Sequence, residues 1–256
     1  MKARSANAGS SGVIIQNRSE KVFYFFNYII VTLIMLTMLF PLLNIISTSF
    51  SSERAVVSDE VTFYPVEFTT HTYVQVMKTT PIFMALKNTV ILTLVGTAIS
   101  MFCTICTAYA LSKKRLFGRT AFLAMITFTM IINAGMIPNF ILIKNLQLMN
   151  TYWAIWLPGA ISTWNLLVMR TAFFSVPQSI EESAFLDGAN DFVLLFRIIA
   201  PTIMSTISVI ILFYAVGHWN SWFSASIYLK DRSLYPLQLV LREIIILSNI
   251  QEMADD

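Results

Sequence analysis

Charge is what this sequence has least of. Of 256 residues, 12% are charged and 56% hydrophobic, and the mean hydropathy is +0.69. Soluble domains carry roughly a quarter of their residues as charges, so the chain reads as an integral membrane protein. Its net charge of +3 is too small and too dispersed to attract nucleic acid, and the basic residues are better read through their placement in loops. Histidine is nearly absent: His71 falls in a predicted outer loop and His218 late in a predicted span, which leaves no metal cluster. Cysteine is limited to Cys103-Thr-Ile-Cys106. That is a redox spacing, but it falls in mid-membrane among Ser, Thr and Ala, where small residues letting helices approach closely is the plainer reading. No glycine-rich loop ending in Gly-Lys-Ser/Thr occurs, so the chain does not bind ATP by that device. The 13 methionines read as apolar packing rather than a metal path. A membrane enzyme would need a nucleophile–base pair at depth, and His218 has no acidic partner within its own helix.

What the chain does have is a series of long apolar runs. Residues 1–21 are polar and rich in Gly, Ser and Asn, which predicts a disordered cytosolic tail. Residues 22–47 are too long for a signal-peptide core and read as a first spanning helix, kinked at Pro41. Residues 48–82 are polar and mildly acidic, as an extracytoplasmic loop would be. Further spans are predicted at about 83–111, 120–143, 151–169 and 202–225, with Gly135 and Pro138 available as a bend in the second of these. Lys113-Lys-Arg115-Leu-Phe-Gly-Arg119 is the densest basic cluster and marks the cytoplasmic side. Five spans counted from a cytoplasmic N-terminus then place every basic cluster and the loop 171–201 inside. The remaining residues, 226–256, read as an outer loop, because their apolar stretch Ile244 to Leu247 is too short to cross a bilayer.

The loop 171–201 organises the rest. Pro177 can open a helix, and Ile180 and Ala184 recur at helical spacing with Glu181, Glu182 and Asp187 on the other faces. Gly188 stops that helix, Asn190 or Asp191 can cap the next, and Pro201 marks the start of an apolar span. A short amphipathic helix projecting on the cytoplasmic side follows. Glu182-Ser-Ala184, three residues, Gly188, nine residues, Ile198 and then Pro201 resembles the EAA loop of ABC importer permeases, departing from it at Ser183 and Ala200. Asp187-Gly188-Ala189 resembles the carbohydrate-uptake branch in particular, of which the chain looks like the smaller membrane subunit of maltose-type importers.

That resemblance implies an all-α polytopic bundle of the type I importer class with six spans, of which five are visible and the C-terminal one is missing. It further implies a bacterial cell membrane location and three partners: a cytosolic ATPase dimer, a second and related permease, and an extracellular solute-binding protein. ATP and magnesium would belong to the ATPase, with no cofactor bound by this chain and no catalytic residue in it. Glu181, Glu182, Ala184, Asp187, Gly188, Ala189 and Pro201 would couple to the ATPase, with Gly188 at a turn where a Cβ does not fit.

Two outer constellations extend the resemblance. Gly217-His-Trp219-Asn220-Ser-Trp222 is similar to the family's Trp-Asn segment, and Trp164-Asn165 forms a weaker second pair. Trp faces can stack on sugar rings and Asn can bond hydroxyls, but an interfacial aromatic belt would also place Trp there, and both readings stay open. Leu234-Tyr235-Pro-Leu237-Gln238-Leu looks like the segment that faces the binding protein. The reading is thus a sugar or oligosaccharide permease. A same-fold permease for a non-sugar solute remains an alternative. A channel or secondary transporter is a further one, although it would need buried ionisable residues that these spans almost lack.

Overall fold

At membrane depth every backbone polar group must be satisfied within its own segment, which favours helices. The computed structural model describes residues 18–132 and 134–255, and all regular structure among them is helical. The tail expected over 1–21 lies almost wholly outside the described residues. The chain divides into two compact units, which meet in sequence between Thr80 and Pro81.

The first unit begins with α1, Arg18–Ser49, which passes through Pro41 without ending. Its apolar side chains are exposed on every side, from Phe23 and Ile30 to Leu42 and Ile46, as expected of a helix solvated by lipid. The chain then folds back on the end of α1. Asn44 donates to the carbonyls of Val61 and Thr62 at 3.3 and 3.1 Å, and Phe50 stacks on Phe68 at 5.5 Å. Two short helices complete this unit, α2 at Glu53–Val57 and α3 at His71–Thr79.

The second unit is built around α4, Ile82–Ser112. Its neighbours follow in order: α5 at Arg119–Ile131, α6 at Met136–Asn145, α7 at Trp153–Trp156, α8 at Thr163–Phe174 and α9 at Gln178–Leu186. After α9 come α10 at Asp191–Val193, a π-turn at Leu194–Ile199, α11 at Ala200–Thr202 and α12 at Met204–Trp219. The chain continues with α13 at Trp222–Tyr228, a 3-10 turn at Arg232–Leu234 and α14 at Leu237–Asp255. Along α4 the buried positions Ala85, Thr89, Gly96, Ser100, Thr104 and Ala108 form one narrow stripe of small side chains. Lipid supplies no hydrophobic drive between helices, so close approach and interhelical hydrogen bonds hold them. The stripe carries α8 and α12. Thr104 bonds the Tyr214 hydroxyl at 2.7 Å, Tyr214 accepts from the Ser162 amide at 2.9 Å, and Ser100 meets His218 Nε2 at 3.2 Å. His218 is therefore an interhelical bond partner. Cys103 and Cys106 are free thiols, each half-buried beside the stripe.

The helices come close at Gly96, where an added Cβ would sit 2.8 Å from two atoms of the His218 imidazole. Gly96→Ala should force the ring from Ser100 and cost about 1–3 kcal/mol, as overpacking does. The readout is a lowered Tm in detergent, and an unchanged Tm would contradict the packing.

Among the described residues two helices are long and apolar enough to cross a membrane, Glu20–Ser49 and Ile82–Ser112, or up to four if each bent pair counts as one span. The bend expected at Gly135 is present, with φ +84° just before α6, whereas Pro138 lies inside the first turn of α6, where its missing N–H is harmless. The stretch 151–169 is not one helix: α7 and α8 are separated by a segment containing Pro158 and Gly159. Asp191–Thr202 and α12 meet at 91° across Ile203, so the apolar helix begins three residues after Pro201. Residues 226–256, expected as a loop, are largely helical in α14, whose first turn is tied to α4. Asn88 donates to the carbonyls of Ser233 and Tyr235 at 2.7 and 3.1 Å, and Thr89 Oγ1 accepts from the Leu237 amide at 2.8 Å. These are long-range bonds with no local sequence signal.

Candidate functional site

The loop 171–201 folds as its residue types dictate. Pro177, with φ −58°, stands at the N-cap of α9 rather than inside it. At the other end the Gly188 amide donates to the Phe185 carbonyl at 3.1 Å and the Ala189 amide to the Ala184 carbonyl at 2.9 Å. This bond pair is a Schellman stop, which needs a left-handed residue between the two donors' turns, and Gly188 supplies it with φ +79°. No atom lies within 4 Å of where a Cβ on Gly188 would be, so the expectation that a Cβ would not fit is corrected. The backbone angle requires glycine there, and space does not. Asn190 caps the next helix, accepting from the Val193 amide at 2.9 Å.

The faces of α9 divide its acids. Ala184 is buried in a core cluster with Leu166, Met169, Phe173, Leu194 and Ile199. Glu182 is exposed and, among the described residues, held only by Gln178 one turn earlier, whose amide donates to it at 2.9 Å. Asp187 and Leu186 are exposed as well, Leu186 at 89%. Glu181 turns inward and pairs with Lys113 at the C-cap of α4, leaving its side chain only 20% exposed. The two lie 68 positions apart, and in the sequence Lys113 marks only the side of the membrane. Arg115 lies 5.3 Å from the Phe185 ring centroid and 3.5 Å from Asp191. Arg119 and Arg170 both donate to the Leu111 carbonyl, at 3.0 and 3.1 Å, satisfying a free C=O at the end of α4 where cations also complement the helix dipole. Between α4 and α9 lies an open cleft of about 600 Å³, lined by Lys113, Lys114, Arg115, Pro177, Glu181 and Glu182. The pieces of the loop that sequence brought together are thus together in space, with Ala189 half-buried against the core and Pro201 exposed in α11.

The core beneath α9 admits only a small side chain at 184. Ala184→Leu should lower stability by about 1–3 kcal/mol through overpacking, measurable as reduced Tm; a variant as stable as the parent would show the space is there.

The outer candidates are more dispersed. Asn220 caps α12 and turns its amide back onto the Val216 carbonyl at 3.0 Å, and Trp219 is partly exposed beside it. Trp222 is half-buried, and Arg242 of α14 sits over its ring at 3.7 Å, so one face is taken by a cation. Trp164 is exposed in the first turn of α8, whereas Asn165 beside it is buried. Tyr235, Leu237 and Gln238 are each half-buried, and Gln238 Oε1 accepts from Thr89 at 3.3 Å. Asp231 caps the 3-10 turn, and its bond from the Ser233 amide at 2.9 Å holds its carboxyl below the usual carboxylate range. No group of three His, Cys, Asp or Glu side chains that could hold a metal ion occurs among the described residues.

No family model matches the chain. The polygalacturonan/rhamnogalacturonan transport system permease protein YtcP of Bacillus subtilis (strain 168) is 39% identical over 209 residues, covering 82% of this chain and 73% of that protein. Protein LplC of the same organism is 37% identical over 216 residues, covering 84% and 73%. Among solved structures, a bacterial ABC transporter involved in the import of the acidic polysaccharide alginate superposes with a TM-score of 0.85 and 34% identity, over 90% of this chain and 82% of the matched one.

Proposed function

This chain belongs to the carbohydrate-uptake branch of the ABC transporter permeases, and from that membership we propose that it forms half of an oligosaccharide pathway driven through α9. Its place is the bacterial cell membrane, with the N-terminus, the 113–119 turn and α9 on the cytosolic side. The bent helix pairs each count as one span, α7 with α8 as another, and α1 and α4 bring the number to five. A second permease encloses the cavity from the other side, and an extracellular binding protein delivers cargo near 226–256. ATP and magnesium bind a separate ATPase, and this chain does no chemistry on its substrate. Closure of the ATPase draws α9 inward and opens the cavity outward, and hydrolysis resets it.

The observation that carries this reading is the division of α9: anchored through Ala184, stopped at Gly188, and presenting Glu182, Leu186 and Asp187 with no partner among the described residues beyond α9 itself. An acid on a fixed helix is a ready docking element for a basic groove. For the cargo we propose a uronate-containing oligosaccharide, because polygalacturonan and alginate, named for the relative and the structural neighbour, are both uronate polymers. The test is uptake by cells carrying the assembled importer, offered labelled oligogalacturonide, maltooligosaccharide and an amino acid. Saturable, ATP-dependent uptake of the uronide is expected. Preferred uptake of the neutral glucan would overturn the uronate assignment, and flux independent of ATP would overturn coupling.

A further inference from the structure

Lys113 and Glu181 join two parts of the chain that sequence keeps far apart. Their ion pair is largely withdrawn from solvent, at 14% and 20% side-chain exposure. The Lys113 ammonium also lies over the Tyr109 ring, 4.1 Å from its centroid, and that ring meets Phe173 of α8 edge-on at 5.6 Å. Exposed ion pairs are weakened by solvent and salt, whereas a partly buried pair is screened much less, and losing one member strands the other. The charges also suit their helices, an acid in the first turn of α9 and a base just past the last turn of α4. α9 is therefore attached twice: through Ala184 to the core, and through Glu181 to the end of the helix on which α8 and α12 pack.

We propose that Lys113 is a positioning residue for coupling, clasping α9 to α4 through Glu181 and Tyr109 so that a displacement of α9 is passed to α4 rather than absorbed in the 175–177 turn. The proposal rests on α9 being the ATPase-docking helix, yet it assigns the neighbouring acids opposite tasks. Glu182 faces the partner and Glu181 faces its own chain.

The test uses the complete importer in proteoliposomes and measures sugar transported per ATP hydrolysed. Lys113→Met should keep the ATPase bound and hydrolysing within about twofold of the parent, but lower the sugar-to-ATP ratio about tenfold, the scale of a common coupling free energy. Lys113→Arg, which still pairs with a carboxylate and stacks on tyrosine, should restore most of the ratio. Glu181→Gln reads the same pair from the other side and should uncouple likewise, even if Lys113→Met assembles poorly. A parental ratio in Lys113→Met and Glu181→Gln, or an Arg variant as uncoupled as the Met variant, would overturn the clasp. Loss of the ATPase from the Lys113 variants alone would also overturn it, by assigning Lys113 to the docking face. An ATPase absent from the wild-type complex is a different result, the failure of the docking reading itself.

Discussion

Glu182→Lys is expected to strip the ATPase from the membrane complex and abolish ATP-driven uptake. Breaking a desolvated charge pair across an interface costs about 2–5 kcal/mol, and about 3 kcal/mol is already roughly a hundredfold in affinity. The fold itself should hardly register the change. Glu182 is exposed and, among the described residues, bonds only to Gln178 in the preceding turn, and surface substitutions of that kind stay within about 0.5 kcal/mol. Co-purification in mild detergent checks the prediction, with membrane insertion and Tm as controls. An ATPase that remains with the lysine variant would move the joint away from this side chain. A wild-type complex that never carries an ATPase would reopen the channel reading. Glu181→Lys is not an equivalent experiment, because it would set two ammonium groups against each other inside the molecule.

Gly188→Arg is the second large effect. The left-handed backbone at Gly188 costs an L side chain about 1–2 kcal/mol, and the surroundings are empty within 4 Å. The chain should therefore still fold and insert, but the Schellman stop weakens and a long cation projects from the end of α9. Uptake should fall below detection. Gly188→Asn separates the two causes, since asparagine enters the left-handed region more easily than other side chains. It should keep a measurable fraction of uptake. If Asn and Arg are equally inactive, contact at the partner surface rather than backbone angle governs the position, and if Arg transports normally, α9 does not dock.

These two positions were legible because their signals are local. A proline, a glycine and an asparagine at fixed offsets around an amphipathic turn specify a capped helix whatever the tertiary structure does, and the structure has all three in place. The small-residue stripe on α4 was visible only as composition. The rest was hidden for a physical reason: the partners are brought together by the fold. Lys113 and Glu181, Ser100 and His218, Asn88 and Ser233, and Arg242 and Trp222 are each separated by tens of positions or more, and nothing in a sequence window marks either member. Long apolar runs also misled. Hydropathy measures how many residues suit lipid and not whether one helix carries them, so the breaks at Pro158-Gly159 and at Ile203 went unseen.

The π-turn at Leu194–Ile199 gives the nine-residue gap between Gly188 and Ile198 a meaning that no contact in it conveys. A π-turn holds one residue more than the α-helix around it, so it absorbs that residue in a wider turn instead of passing it on as a rotation of the segments on either side. Leu194, Leu195 and Ile199 are buried on that wider turn. Substituting an exposed member such as Phe196 leaves that arrangement alone. Deleting one residue lets the turn relax to α geometry, and because an α turn takes one residue fewer for the same rotation, α9 keeps nearly its present orientation. The gap thus carries one residue of slack, and a second deletion, with no wide turn left to absorb it, would swing α9 by about 100°.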